Sequence, residues 1–306
     1  MDQLIFSIKK RRSALPVLSR LLLLFAFLGC DSSTNPKRVE STTTTLSLHS
    51  FLVDQVESDQ SILTQCLAWG EPHTLWQTSG GLESRLIKRS RFGVLETEWP
   101  LEGIFAEGCT QRGTELLVLS WRSFVMLVID PMTGELIDLS SLQTEGWGLA
   151  HSEHGLVYSD GSSSLHWIEL IKREDFTEAN GTESTKNTLT TNILRTITVR
   201  DQGLPVFQVN ELEWLEEYLL ANIYPSNRVA VIEATSGQVI AWIDLSILVE
   251  EELSHQDLGA IEPGVPNGIA YDRNQDLLWF TGKNWRRIYA ATASRLLQEI
   301  RSIKNR

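Results

Sequence analysis

The chain has little positive charge, few cysteines and few histidines, and each shortage excludes a class of function. Lysine and arginine together number 27 against 39 aspartates and glutamates, so the net charge is −12 and the pI is about 5.0. Nucleic-acid binding needs a basic surface, which this balance does not supply. The six histidines and three cysteines show no spacing typical of a metal site. We therefore expect neither a nucleic-acid partner nor a bound metal.

Several catalytic motifs are also missing. The sequence contains no Gly-x-Ser-x-Gly, no His-Glu-x-x-His, no P-loop and no Rossmann glycine pattern. Nucleophilic Ser–His chemistry therefore has no support.

The N-terminus has the pattern of a targeting segment. A basic stretch at residues 9–12 precedes a short apolar run, Leu21–Leu28, and Cys30 follows. Phe27-Leu28-Gly29-Cys30 resembles a bacterial lipobox, although Phe27 replaces the usual leucine. We predict a signal peptide over 1–29, lipidation of Cys30, a polar tether over 30–45, and a place on a membrane facing the periplasm or the outside. Secretion without lipid and an uncleaved N-terminal anchor stay open.

The other two cysteines, Cys66 and Cys109, occupy equivalent places in two copies of a repeated motif. In an oxidising compartment, neighbouring strands can bring such a pair within disulfide range. Two small buried apolar side chains are the other interpretation.

Five short segments are variants of one pattern, a polar or aromatic residue followed by alternating apolar and small residues. They begin at Gln65, Glu107, Trp147, Asn210 and Asn267. The intervals are 42, 40, 63 and 57 residues, and the two longer ones contain segments that interrupt the pattern. Recurrence at about 40 to 50 residues is typical of a β-propeller with one copy per blade. The innermost strands of a propeller line one channel, so the five first residues are expected to surround one mouth of that channel.

The rest of the chain fits an all-β domain with short helical insertions. Apolar runs joined by turns such as Asp130–Gly134 predict a meander of antiparallel strands over 46–300, before a tail at 301–306. The polar segment Glu174–Asn192 is interpreted as an exposed insertion. The acidic segment 245–266 predicts a short helix and a loop that either caps the channel mouth or stays solvated. An amphipathic helix is expected only at Ser294–Ile303.

Glu107 is the strongest catalytic candidate. Apolar and small neighbours surround it, so its carboxylate is expected to face a narrow, partly apolar channel. Desolvation raises a carboxyl pKa and makes acid–base catalysis near neutral pH feasible. A structural glutamate that binds backbone amides is the competing interpretation.

The other candidates are aromatic, amide and cationic residues. Trp121 and Trp147 offer flat apolar walls with one N–H donor each, or simply core packing. Amide side chains at the strand starts can bind a carboxamide, or can pair with each other. Lys283 is either a catalytic or substrate-orienting cation or a turn lysine. The candidate amides are Gln65, Asn210 and Asn267.

Eight segments together resemble the glutamine cyclotransferases of plant and bacterial type, in the family's order and over about residues 50 to 290. They are Thr64-Gln65, Phe105–Gly108, Glu145–Leu149, Ser159–Ser162, Asn210–Glu213, Trp242–Ser246, Asn267–Asp272 and Thr281–Trp285. The resemblance implies a five-bladed β-propeller that converts N-terminal glutaminyl residues to pyroglutamate and releases ammonia.

The resemblance also implies roles for single residues. Glu107 matches the catalytic carboxylate. The positions matching the family's substrate pocket are Gln65, Trp121, Trp147, Asn210 and Lys283, and Tyr224 belongs to the same pocket. Tyr224 stands where the family usually has tryptophan, and Leu63 and Cys66 replace the usual phenylalanine and glycine.

The implied reaction uses no cofactor, and its partners are peptide or protein N-termini bearing glutamine. A monomer is the expected state. Two other hypotheses stay open. The first is a non-catalytic propeller lipoprotein that binds a peptide or an envelope partner, and the second is a calcium-dependent, lactonase-like propeller. A chelator-sensitive activity would favour the second.

Overall fold

The computed structural model describes residues 42–179, 182–254 and 261–306. Within these ranges the chain forms 23 strands, two α-helices and one 3-10 helix, so the protein is mostly β. The predicted signal peptide, the lipidation site Cys30 and most of the tether lie outside the described residues. No helix within the described ranges is both long and apolar enough to cross a membrane.

The strands follow each other in five groups, preceded by two short strands. The first two are β1 (Thr45–Ser47) and β2 (Leu52–Glu57), separated by the 3-10 helix Leu48–Phe51. Group one contains β3 (Thr64–Gly70), β4 (Thr74–Ser79), β5 (Arg85–Ser90) and β6 (Leu95–Pro100). Group two contains β7 (Ala106–Arg112), β8 (Glu115–Ser120), β9 (Val125–Ile129) and β10 (Leu136–Ser141).

The remaining groups include a small extra hairpin and the two helices. Group three contains β11 (Leu149–Ser152), β12 (Gly155–Ser159), β13 (Ser164–Ala179) and β14 (Thr182–Thr198), and the hairpin β15 (Arg200–Asp201) and β16 (Leu204–Pro205) follows. Group four contains β17 (Val209–Leu215), β18 (Tyr218–Ile223), β19 (Arg228–Glu233) and β20 (Val239–Asp244), and α1 (Ser246–Ser254) follows. Group five contains β21 (Pro266–Asp272), β22 (Leu277–Gly282) and β23 (Arg287–Thr292), and α2 (Ala293–Lys304) ends the chain.

The first strands of the five groups form a closed ring. Strands β3, β7, β11, β17 and β21 contact each other in that order, and β21 returns to β3. Group five has only three strands of its own, and β2 completes it by pairing antiparallel with β23, with Leu52 opposite Ala291. Strand β2, near the start of the described chain, and β23, near its end, are therefore held in one sheet.

The apolar core lies between neighbouring groups. One cluster joins Cys66 and Trp76 of group one to Leu116 and Val118 of group two. Four further clusters occupy the other junctions around the ring, including the junction between groups five and one. Alternating side chains of each strand pack against the groups on either side, which is why both faces of most strands are apolar.

The predicted Asp-Pro-x-Thr-Gly segment forms a turn in the structure. The Asp130 carboxylate accepts hydrogen bonds from the backbone N–H groups of Met132 and Thr133, and Gly134 adopts a positive φ of 72°. Only glycine adopts that conformation without steric cost, so β9 and β10 can reverse here.

Three features were not predicted from the sequence. The polar segment Glu174–Asn192 contributes to the long β13–β14 hairpin, whose paired backbones run from Ser164 opposite Thr198 to Ala179 opposite Thr182. Threonine favours extended backbone, which explains how a polar insertion forms a ribbon. Strand β10 also pairs in parallel with β14, so groups two and three share one eight-stranded sheet. In addition, β1 pairs in parallel with β20.

Both predicted helical segments contain a helix. Helix α2 covers the predicted Ser294–Ile303 and buries Leu296, Leu297 and Ile300 against the core. Glu252 attaches helix α1 to group five. Its carboxylate accepts hydrogen bonds from the Arg286 backbone N–H and the Tyr289 hydroxyl, both at 2.8 Å. Residues 255–260 of the predicted loop lie outside the described residues.

Candidate active site

A cavity of about 160 Å³ opens at the end of the ring where β3, β7 and β17 begin. Seven of the predicted site residues line it, together with Phe105. The full lining is Gln65, Phe105, Glu107, Trp121, Trp147, Asn210, Tyr224 and Lys283. The strand starts supply Gln65, Glu107 and Asn210, and the turns and connections at the same end supply the others.

An irregularity recurs where the ring strands present these residues. The pairing register shifts between Thr64 and Cys66 in β3, between Ala106 and Cys109 in β7, and between Val209 and Leu212 in β17. A β-bulge bends a strand and redirects a side chain out of the regular alternation. The bulges enclose Gln65, Glu107 and Asn210, which line the cavity, and a fourth shift in β21 encloses Asn267, which does not.

Glu107 is enclosed and lightly solvated, with 7% of its surface exposed. Its carboxylate accepts no hydrogen bond from the residues that the structure describes. Burial raises the pKa of Glu107 to about 8, Lys283 opposes this shift, and Glu145 adds to it. A carboxyl group with this pKa can both accept and donate a proton near neutral pH.

The backbone around Glu107 is fixed on both sides. Its carbonyl oxygen accepts a hydrogen bond from the Thr78 hydroxyl at 2.7 Å, and the Gly108 N–H donates to the Trp147 carbonyl at 2.7 Å. A Cβ atom at Gly108 would lie 2.6 Å from that carbonyl oxygen, so a larger residue has no room. The Glu-Gly pair therefore brings the backbone of Trp147 against Glu107.

Lys283 faces the same cavity from the turn after β22. Burial lowers the pKa of its ammonium group, while Glu107 raises it. The two side chains form no direct ion pair in the described part of the chain, although each shifts the pKa of the other. This leaves space between a carboxyl group and an ammonium group inside one cavity.

The acidic 245–266 segment reaches this lysine through its described end. The Gly264 N–H donates to the Lys283 carbonyl at 2.7 Å, and the Lys283 N–H donates to the Val265 carbonyl at 3.0 Å. The Trp285 indole also donates to the Gly264 carbonyl at 2.8 Å. Residues 264–265 are therefore packed against the turn that carries Lys283 and are not simply solvated.

Aromatic rings form the walls of the cavity. Phe105 and Trp121 meet edge to face with ring centroids 5.4 Å apart, and Trp147 and Tyr224 do so at 6.3 Å. The Lys283 ammonium lies 5.4 Å from the Tyr224 ring centroid. Such walls provide a rigid apolar slot with polar groups at its edges.

Asn267 is placed behind the cavity, outside its lining. It is fully buried, and its side-chain N–H group donates to Oε1 of Gln65 at 3.0 Å. It also approaches the backbone carbonyls of Thr64 and Gln65 at 3.3 Å. Because Gln65 Oε1 is occupied, the Gln65 NH2 group remains as its donor for the cavity.

Sequence reasoning missed Phe105 and Glu145 as members of the site. Glu145 accepts hydrogen bonds from the indoles of Trp121 and Trp147, at 2.9 and 3.1 Å. Both missed residues lie inside family-like segments of the sequence, Phe105–Gly108 and Glu145–Leu149. Their position beside Glu107 and Trp147 was the available signal.

Glu211, next to Asn210 in β17, is a further buried carboxyl group for which the sequence predicted no role. Its carboxyl group is fully buried, and burial together with the nearby Glu213 raises its pKa well above the ordinary value. One carboxyl oxygen accepts the Leu67 N–H at 3.4 Å, which links β17 to β3.

The sulfurs of Cys66 and Cys109 are bonded, with their Cα atoms 5.7 Å apart. The bond joins β3 to β7, the two strands that carry Gln65 and Glu107. A disulfide of this loop length stabilises a fold by about 2–4 kcal/mol. Cys66 thus points into the core, and neither Cys66 nor Leu63 lines the cavity.

The described residues contain no group of three or more histidine, cysteine, aspartate or glutamate side chains arranged to hold a metal ion. We assign no metal ligand among the residues that line the cavity.

Comparison with known proteins shows which family the sequence and the fold of this chain match. The family model described as glutamine cyclotransferase matches residues 21–292. A glutaminyl-peptide cyclotransferase of Arabidopsis thaliana is 28% identical over 247 residues, which cover 78% of this chain and 69% of that protein. The crystal structure of Myxococcus xanthus glutaminyl cyclase superposes with a TM-score of 0.65 at 25% identity, covering 78% of this chain and 94% of that one.

Proposed function

The chain belongs to the glutamine cyclotransferase family, and on this premise we propose that it is a glutaminyl-peptide cyclotransferase. The reaction closes an N-terminal glutaminyl residue into pyroglutamate and releases ammonia. The observation that carries the proposal is the enclosure of Glu107, with its raised pKa, in one cavity with Lys283 and two tryptophans.

We further propose that the fold is a five-bladed β-propeller. Five strand groups, five apolar clusters at their junctions and a closed ring of first strands support this interpretation. The pairing of β2 with β23 acts as the closure that holds the first and last blades together.

Positioning is the first task of the site. The substrate must fold so that its α-amine approaches its own γ-carboxamide carbon, and holding that conformer lowers the entropic part of the barrier. The ring faces of Trp121 and Trp147 flank the glutaminyl side chain, and the Gln65 NH2 group and Asn210 bind its polar ends. The cavity opens at one end, which suits a chain terminus.

Proton transfer is the second task. The neutral α-amine attacks the carboxamide carbon, and a C–N bond forms as the carbonyl becomes a tetrahedral oxyanion. Ionised Glu107 takes a proton from the attacking nitrogen and returns it to the departing nitrogen, so ammonia leaves as the second C–N bond breaks. The oxyanion is stabilised by Lys283 and Asn210. Each substrate molecule therefore yields one pyroglutamate and one ammonia.

Of the three positions where this chain differs from the usual family residues, only one touches the substrate. Leu63 and Cys66 do not line the cavity, whereas Tyr224 does. A difference in substrate preference is therefore expected to arise at Tyr224, where a smaller ring with a hydroxyl group replaces an indole.

The test is ammonia release from a Gln-initiated peptide, with pyroglutamate identified by mass spectrometry and with chelator in a parallel reaction. We expect equal amounts of ammonia and pyroglutamate, unchanged by the chelator. A peptide that starts with asparagine is the matched control, because its shorter side chain cannot close the same ring. Binding without ammonia would support the non-catalytic hypothesis, and loss of activity with chelator would support the calcium-dependent one.

We also propose that Cys30 is lipidated and that the protein is held at a membrane of the cell envelope. The lipobox-like Phe27-Leu28-Gly29-Cys30 supports this proposal. Metabolic labelling with a radioactive fatty acid should mark the wild type and not Cys30→Ser. Equal labelling of the two proteins would contradict it.

A further inference from the structure

One carboxylate joins the two tryptophans of the candidate active site. Oε2 of Glu145 accepts the Trp121 indole N–H at 2.9 Å and the Trp147 indole N–H at 3.1 Å. Trp121 follows β8 in group two, whereas Trp147 precedes β11 in group three. Glu145 therefore links two neighbouring groups at the edge of the cavity.

The second oxygen of Glu145 is also engaged. It lies 3.5 Å from Nε of Arg122, whose guanidinium is 3.8 Å from the centroid of the Trp121 ring. Arg122 is thus stacked on one tryptophan and paired with the carboxylate that binds the same indole. Only 34% of the Glu145 side chain is accessible, whereas Arg122 is 67% exposed, so the ion pair itself adds little and the two indole hydrogen bonds carry the geometry.

The arrangement differs from that of the other indoles. Within the described ranges, Nε1 of Trp69, Trp167, Trp214 and Trp279 is buried and has no hydrogen-bond partner. Three more indoles each have a separate acceptor, such as Gln111 for Trp76. Among the described residues, only Trp121 and Trp147 share one acceptor, and both line the cavity. Packing without a hydrogen bond therefore places four tryptophans of this fold, whereas the two at the cavity have a common charged anchor.

A shared anchor fixes the relative orientation of two rings. An indole N–H is a donor only, and a hydrogen bond to a carboxylate is shorter and stronger than one to a neutral acceptor. Two such bonds to one oxygen restrict the side-chain rotation of both rings and therefore set the width of the slot between them. Gly161, with a φ of +76°, lies against Trp147, where a Cβ atom would be 2.4 Å from the ring, so that ring is held from a second side.

We propose that Glu145 is a positioning residue that sets the aperture between Trp121 and Trp147, through which the glutaminyl side chain enters. The proposal rests on the proposed function, because it assigns that aperture to the glutaminyl substrate. The charge of Glu145 has a second effect on the site. Burial is the main cause of the raised pKa of Glu107, Lys283 lowers it, and Glu145 raises it.

Two substitutions separate the geometric effect from the charge effect. Glu145→Gln keeps an oxygen acceptor for the indoles but removes the charge, whereas Glu145→Ala removes both. Glu83→Gln is the matched control, because Glu83 is an exposed glutamate in the turn between β4 and β5 at the same end of the ring.

The first measurement is steady-state kinetics with a Gln-peptide. We expect Glu145→Ala to raise KM roughly tenfold or more with a smaller change in kcat, because the loss falls on binding geometry. Glu145→Gln should keep KM within about threefold of the wild type while the lower midpoint of the kcat/KM pH profile moves to lower pH. A wild-type KM in Glu145→Ala would overturn the proposal, whereas an unmoved midpoint in Glu145→Gln would contradict the charge effect alone.

The second measurement needs no catalysis, so it separates failure of this proposal from failure of the proposed function. The indole ¹H–¹⁵N resonances of Trp121 and Trp147 are assigned with Trp121→Phe and Trp147→Phe. Both resonances should move upfield in Glu145→Ala and stay in place in Glu83→Gln. Unmoved indole resonances would overturn the shared anchor even in an active enzyme. A wild type with the expected resonances but no ammonia release would instead contradict the proposed function.

Discussion

Glu107 and Lys283 face one cavity without forming a direct ion pair, and each shifts the pKa of the other. Burial raises the pKa of Glu107 and lowers that of Lys283, while their mutual attraction opposes both shifts. A closed ion pair would hold both charges in place and occupy the space between them. Under the proposed function, the substrate lies between this carboxyl group and this ammonium group.

Replacing Lys283 should therefore change the pH dependence as well as the rate. Lys283→Met removes the charge that lowers the pKa of Glu107, so the midpoint of the kcat/KM pH profile should rise above about 8. Lys283→Arg keeps the charge and is the matched control. We expect kcat of Lys283→Met to fall by about 10²-fold, because one oxyanion donor is lost. A midpoint that is the same in the two variants would contradict this electrostatic role.

Asn267 should act on the substrate only through Gln65. Asn267→Ala leaves Gln65 Oε1 without its donor at 3.0 Å, which should cost about 1–3 kcal/mol of unfolding free energy and raise KM. In a double-mutant cycle with Gln65→Ala, the two effects on KM should be far from additive. Asn222→Ala is the control, since Asn222 is also buried but accepts the Gly268 N–H. Additive effects of Asn267→Ala and Gln65→Ala would show that Asn267 has another role.

Tyr224 should control binding more than chemistry. Its ring meets Trp147 edge to face and is 41% exposed, so it forms an outer part of the wall. Tyr224→Trp adds apolar contact area, and we expect KM for Gln-peptides to fall a few-fold, about two- to fivefold, with kcat unchanged. Steady-state kinetics with peptides that differ in the second residue provide the measurement. A large change in kcat would place Tyr224 in the chemical step instead.

The buried carboxyl groups should make stability fall as pH rises. The pKa of Glu107 is about 8 in the folded chain, against an ordinary value near 4.3, and burial also raises the pKa of Glu213 to about 8. The folded state thus holds protons that the unfolded chain has released. Their contribution is complete below about pH 4 and is lost as pH rises through about 8.

Thermal unfolding across that range tests this sign. The melting temperature of the wild type should fall as pH rises through the window, and Glu107→Gln should show a shallower fall. Glu102→Gln, which changes an exposed glutamate, should follow the wild type. A melting temperature of Glu107→Gln that falls as steeply as that of the wild type would contradict the buried, protonated state of Glu107.

Much of the site followed from the sequence because its residues sit in repeated strand starts. The alternating motifs predicted where β3, β7 and β17 begin, and their first polar residues lie at one end of the ring. Family membership was predicted from eight short segments and is confirmed. The roles of Glu107, Lys283 and the residues around them stay predictions.

The remaining features depend on tertiary structure. The pairing of β2 with β23 joins segments at opposite ends of the chain, and no local pattern marks it. The β-bulges at Gln65, Glu107 and Asn210 do not change the composition of their strands. The role of Glu145 as an acceptor depends on the conformation of a connecting loop, so its motif identified the tryptophan and not the carboxylate beside it.

The most direct test of the account is single-turnover ammonia release from a Gln-peptide by the wild type and by Glu107→Gln. The substitution keeps the shape of the side chain and removes the group that moves the proton. We predict ammonia and pyroglutamate in equal amounts from the wild type, and a rate at least about 10²-fold lower in the variant with an unchanged circular dichroism spectrum. A folded Glu107→Gln protein that turns over at the wild-type rate would contradict the central role of Glu107.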